Sequence, residues 1–187
     1  MTLAAALHPG KVVLVRVPQA VYPSAVPALV KELLANHGNL CYVTVGRSAR
    51  ILFDGFQKEG LDAKAIRFID CITKSLSVRP LATEKKMPAR NAELSAQYVA
   101  NPSALADLED LLFKAVAEEK PGAVLVDSLG TLPLYNDDAA VLGFCRRLTA
   151  RLRESGCKSV LLASQEDLES PPLREAAALA DRVLSWP

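Results

Sequence analysis

Residues 121–137, PGAVLVDSLGTLPLYND, set a carboxylate and a hydroxyl, Asp127 and Ser128, directly after the apolar run AVLV. A buried strand that closes on an aspartate presents it at the strand's carboxyl end, the side of an open α/β sheet where ligands bind. Asp127 can serve there as a hard oxygen ligand to a metal. It can also cap the following turn together with Ser128, which is the expectation for this residue. IRFID followed by CITK carries Asp70, Cys71 and Lys74 to a second such edge position. A lysine beside a thiol lowers its pKa and makes it reactive, whereas a cysteine closing an apolar strand is ordinarily inert and buried. Burial is expected for Cys41, Cys71, Cys145 and Cys157 alike, since none forms a CxxC pair. After CYVTV come Gly46 and Arg47, and the arginine either meets an anion at a helix start or is solvated or ion-paired. His8 and His37 have no third residue to complete a triad or a metal set and read as surface histidines.

These residues need a sheet to gather them. KVVLVRV (11–17) is a β-branched run without alternation, as in a strand buried on both faces. Ser24 is placed to cap the next helix, whose stripe is Val26, Leu29, Val30, Leu33 and Leu34, ending over 36–38. The pattern returns as a strand at 40–45, a helix through Ile51, Leu52 and Phe56 stopping at Gly60, and a strand at 66–70. Such alternation predicts a doubly wound, mainly parallel α/β sheet of about 5–7 strands with helices on both faces. The rhythm fails over 74–97, which reads as a long loop, with a short extended piece YVA after it. Asn101-Pro102 resembles a cap and first turn for a helix striped by Leu105, Leu108, Leu112 and Val116. Strands at 123–127, 159–164 and 182–186, a helix over 137–155 with its aspartates first and arginines last, and a short helix near 173–179 complete the chain.

The segment around VDSLG resembles the Walker B strand of the RecA and KaiC group of P-loop ATPases, in which the aspartate helps hold magnesium and the next residue faces the nucleotide. CYVTVGRSARILFDGFQKEGLDAKAIRFID is similar to the KaiC-type run of strand, acidic pair, helix, Gly and a strand ending Ile-Asp, and SVLLASQE and LADRVLSW resemble the last two core strands. The resemblance spans nearly the whole chain and implies one RecA-like domain over 1–187. Two departures accompany it. A P-loop wraps phosphate with backbone N–H groups and adds a lysine and a Ser or Thr; VRVPQAVYPSAVPAL has none of these in register, and Pro18, Pro23 and Pro27 each lack the donor. The family's water-activating acid after the second strand is replaced by Gly46 and Arg47, and arginine cannot serve as a base. The expectation is a degenerate member, a pseudo-ATPase without catalytic residues, metal or cofactor, with weak Mg-ATP binding left open.

With 50% hydrophobic residues, 23% charged residues and a net charge of +1, the chain offers no general basic field for nucleic acid. Arg79, Lys85, Lys86 and Arg90 in the 74–97 segment could touch nucleic acid or an acidic partner, but no aromatic is interleaved for base stacking, and a solvated loop is the reading taken. No apolar run reaches the roughly 18 residues of a membrane span, and a cytoplasmic protein is expected. The partner expected is a protein, either a second copy or an active RecA-like ATPase. The alternative is a nucleotide- or anion-binding domain, or an unorthodox ATPase, using Asp127, Ser128, Asp70, Lys74 and Arg47 at the strand ends.

Overall fold

The structure, a computed structural model, describes residues 3–76 and 93–186. Its strands are β1 (Val12–Val17), β2 (Leu40–Thr44), β3 (Ile66–Asp70), β4 (Ser95–Tyr98), β5 (Ala123–Asp127), β6 (Ser159–Ser164) and β7 (Arg182–Ser185). They form one seven-stranded sheet in the order β4-β3-β2-β5-β6-β1-β7, and every pairing is parallel. The helices are α1 (Leu3–Ala6), α2 (Tyr22–His37), α3 (Ala49–Lys58), α4 (Thr73–Leu76), α5 (Leu105–Glu119), α6 (Asp138–Glu154) and α7 (Pro171–Leu179). This is the doubly wound α/β architecture that the alternating pattern predicts.

Strand alternation divides the core into two layers. Val13, Val15, Tyr42, Phe68, Leu125 and Leu162 face α1, α2 and α3. Val12, Leu14, Val43, Val124, Val126 and Leu161 face α5, α6 and α7. Both faces of the central strands are therefore covered, which is why their sequences run apolar without a polar alternate. Among the described residues no helix is long and apolar enough to cross a membrane.

Three local expectations are corrected. Ser24 does not cap α2: the chain makes a 3-10 turn over Gln19–Val21, the helix begins at Tyr22 with Val21 as its cap, and the Ser24 hydroxyl donates back to the Val21 carbonyl. Pro23 fits the first helical turn, where its missing N–H costs nothing, so the helix starts ahead of the serine. Asn101 and Pro102 do not open α5, which begins at Leu105; Asn101 instead accepts the Ser103 N–H at 2.9 Å in a side-chain turn. The third concerns the loop expected over 74–97. α4 reaches Leu76, and Ser95–Tyr98 forms β4, an edge strand pairing with β3 from Arg67↔Ser95 to Asp70↔Tyr98. SAQY is half-buried and bears no apolar run, so it leaves no strand signal. The rest of that loop, with Arg79, Lys85, Lys86 and Arg90, lies outside the described residues.

Candidate functional site

Register brings three strand ends level: Thr44 of β2 pairs with Asp70 of β3 on one side and Asp127 of β5 on the other. Asp127 lies two residues beyond Leu125, so alternation turns its side chain to the layer beneath α2 and α3. There it is 5% exposed and surrounded by donors. Oδ1 accepts the Tyr22 hydroxyl at 2.7 Å. Oδ2 accepts the Tyr42 hydroxyl and the Arg47 Nη2 at 2.8 Å. Three elements converge on one carboxylate: the first residue of α2, the middle of β2 and the loop that follows β2. The capping role expected for Asp127 is not what it plays, because these donors outcompete the following turn. The expected ion pairing of Arg47 is present, and its partner is Asp127.

The electrostatics follow from burial. Burial pushes the Tyr22 phenol well above its ordinary range, the Asp127 carboxylate adds to the rise, and Ser128 and Arg47 oppose it. Tyr42, wholly buried, is raised by the same two causes with Arg47 again opposing. Desolvation is the largest influence on Arg47 and would lower its pKa, but the charge and hydrogen bond of Asp127 together with Tyr42 and Tyr22 outweigh it, and the guanidinium is held more firmly protonated.

The connection from β1 to α2, where phosphate cradles are built in other α/β folds, spends three of its donors internally. The Gln19 N–H points to the Glu166 carboxylate at 3.2 Å, the Val21 N–H to the Pro18 carbonyl at 3.0 Å, and the Tyr22 N–H to the Gln19 carbonyl. Pro18 and Pro23 have no N–H to offer.

Asp127, Ser128 and Arg47 share a cleft of about 260 Å³ that Gln19, Thr131 and Asp167 also line. Ser128 and Thr131 face each other with their hydroxyls 3.3 Å apart. Gly130 is fixed by space: a Cβ there would stand 1.8 Å from the Asp167 carboxylate, which accepts the Ser164 N–H at 3.1 Å. The other two proposed site residues are elsewhere. Asp70 is buried and accepts from the N–H groups of Ala49, Ile72 and Thr73 and from the Thr73 hydroxyl, fastening α3 and α4 to the end of β3. Lys74 donates to the Tyr98 carbonyl at 3.0 Å. The reactive reading of Cys71 is overturned, since burial and then Asp70 push its thiol up to about 12 with no lowering from Lys74. All four cysteines are buried and free, as expected. His8 is exposed and His37 half-buried beside Lys158. Among the described residues no group of His, Cys, Asp or Glu is arranged to hold a metal ion.

Tyr22, Tyr42, Glu166 and Asp167 were not singled out in the sequence. Tyr42 alone left a trace: a tyrosine in an otherwise apolar buried strand must find a partner for its hydroxyl.

No family model and no curated protein sequence matches the chain. Its fold is matched by the crystal structure of a KaiC-like protein from the hyperthermophilic archaeon Pyrococcus horikoshii OT3, with a TM-score of 0.64 and 16% sequence identity. The match covers 95% of this chain and 73% of that one. The chain thus has the RecA-like fold of KaiC-like proteins, with Asp127 and Ser128 at the carboxyl edge of its sheet.

Proposed function

We propose that this protein is a RecA/KaiC-like domain that performs no ATP chemistry and acts by binding protein, as an interaction or regulatory module, possible roles in signal transduction included. One observation carries the reading: both oxygens of Asp127, the carboxylate that would hold magnesium, are engaged by Tyr22, Tyr42 and Arg47. A metal entering there would have to displace the Arg47 guanidinium and two phenols from a buried carboxylate, leaving the phenols without the acceptor they share. The residues present therefore do not fit Mg-ATP. The Gln19, Val21 and Tyr22 donors of the β1–α2 turn are spent internally, Pro18 and Pro23 offer none, and Arg47 stands where the resemblance would require a base. Absence of chemistry leaves the carboxyl edge of the sheet free for contact with a protein partner.

A second reading, a nucleotide or other anion held in the cleft or an unorthodox ATPase, has support in the 38% exposure of the Arg47 side chain beside the Ser128 and Thr131 hydroxyls. One experiment separates the two. Calorimetric titration with Mg-ATP, and with ADP for comparison, is expected to give no heat at low salt up to millimolar ligand. Saturable binding would overturn the first reading in favour of the second.

A further inference from the structure

The cleft beside Asp127 is lined by charge of both signs. Arg47 follows β2, Ser128 and Thr131 follow β5, and Asp167 follows β6, and these strands are neighbours in the order β2-β5-β6. Arg47 and Asp167 therefore flank the end of β5. Both are held in place. Arg47 gives Nη2 to the buried Asp127, and its backbone carbonyl accepts the Thr44 hydroxyl. Asp167 is clasped by Ser164: its Oδ2 accepts the Ser164 N–H at 3.1 Å, and its own N–H donates to the Ser164 hydroxyl at 2.9 Å. Each side chain also keeps polar atoms unspent. Among the described residues, the Arg47 Nε and Nη1 and the Asp167 Oδ1 have no hydrogen-bond partner, and Asp167 has no ion pair.

The charges decide what can lie between them. Asp127 already offsets the Arg47 guanidinium, so Asp167 leaves the cleft net negative. Glu166, exposed at the rim where it accepts the Gln19 N–H, adds to that sign. A phosphate or other bare anion would find donors on Arg47 and meet the Asp167 carboxylate as well, an opposition of like charges. A simple amine would suit Asp167 and set its charge against the guanidinium. A molecule with a carboxylate at one end and an ammonium at the other complements both, since the forked donors of a guanidinium can hold a second carboxylate beside the first. The cleft, about 260 Å³, lies below the roughly 300–1,000 Å³ of pockets for drug-sized ligands, so its occupant is small. We propose that the cleft binds a small zwitterion of the α-amino-acid class. Its carboxylate lies on Arg47 beside the Ser128 and Thr131 hydroxyls, and its ammonium lies on Asp167. This site stands apart from the protein-binding reading, and it differs from the nucleotide alternative in the charge it selects.

The test is calorimetric titration of the full chain with the proteinogenic amino acids one at a time, and with inorganic phosphate as the bare anion. At least one amino acid is expected to bind saturably with a Kd tighter than about 1 mM. Capping either end of that amino acid, as its N-acetyl derivative or its carboxamide, is expected to weaken binding about tenfold or more. Asp167→Asn keeps an oxygen for the Ser164 N–H while removing the charge, and Arg47→Lys keeps a cation beside Asp127 while removing the fork. Each is expected to weaken binding of the free amino acid about tenfold or more, with circular dichroism to check that the variant is folded. Asp167→Asn should leave the residual affinity for the N-acetyl derivative unchanged, because that derivative lacks the ammonium that Asp167 holds; a variant that merely disturbs the cleft would weaken both. The proposal is overturned if no amino acid binds, if capping has no effect, if phosphate binds as tightly as the best amino acid, or if Asp167→Asn weakens both forms alike or neither. The Mg-ATP titration is read separately, so this site and the protein-binding reading fail independently.

Discussion

Asp127 shows how a single buried carboxylate is made tolerable: a guanidinium offsets its charge and two phenols fill its remaining positions. The cluster stands or falls together. Asp127→Ala strips the acceptor from Tyr42, which is wholly buried, and from the largely buried Tyr22. The expected loss is about 2–3 kcal/mol of unfolding free energy, from two donors left unsatisfied, and urea denaturation measures it. Tyr22→Phe removes one hydroxyl from the same carboxylate and should cost about 1 kcal/mol. The phenols also set an alkaline limit. Their folded pKa values lie above the ordinary value of 10.0. The unfolded chain therefore releases these protons first, and the stability they contribute is whole below pH 10 and is lost as pH rises beyond it. Absorbance at 295 nm should show Tyr22 and Tyr42 ionising only together with unfolding, and Tyr42→Phe should make stability fall less steeply with alkaline pH.

At the scale of elements, Asp181 holds the start of β7 to its neighbours. It accepts the Val12 N–H at 2.9 Å, Lys11 at 3.1 Å and Arg153 at 3.1 Å. Burial alone would raise its pKa, but these donors outweigh it and hold the carboxyl down to about 2, against an ordinary 3.8. A depressed carboxyl contributes stability that is present above its unfolded value and lost as pH falls through the folded one. Between about pH 4 and about pH 2 the wild type should lose stability more steeply than Asp181→Asn, as acid titration followed by circular dichroism would read out. Gly122, entering β5, has the His37 carbonyl 2.1 Å from where a Cβ would stand, so Gly122→Ala should cost about 1–3 kcal/mol of stability in the same urea assay.

The elements differ in how plainly the sequence announced them. β1, β2, β5 and β6 are buried on both faces, so burial writes itself into composition as VVLV, CYV, AVLV and VLLA. β4 borrows its place from β3 and needs no apolar run of its own, and the start of α2 was decided by where Pro23 can sit and not by the nearest hydroxyl. For the site, the strand ends marked Asp127 and Ser128, and the loop after β2 marked Arg47. What closes on Asp127 was not legible, because Tyr22 lies 105 residues away and Tyr42 85, and only the register of β2 against β5 brings Tyr42 within reach. Asp70 and Lys74 share the edge with Asp127 but bond within their own neighbourhood, since β2 stands between β3 and β5.

Across the whole molecule, the layer beneath α5, α6 and α7 encloses every thiol. Burial is the first cause that holds Cys41 and Cys145 at about 12 and Cys157 at about 11, as it does Cys71. Native protein should therefore resist a thiol reagent at pH 8, and labelling should follow unfolding, with Cys157 first because it is the most accessible of the four.

The sheet's strand order also bears on the protein's synthesis. β1 leaves the ribosome well before either of its two neighbours, β6 and β7, which begin at Ser159 and Arg182. At about 5–20 residues per second, VVLV waits on the order of ten seconds for the chain that will cover its edges. During that interval the nascent polypeptide carries an unpaired, β-branched segment of the kind that chaperones shield, and yield in the cell should depend on that protection more than the finished molecule's packing would suggest.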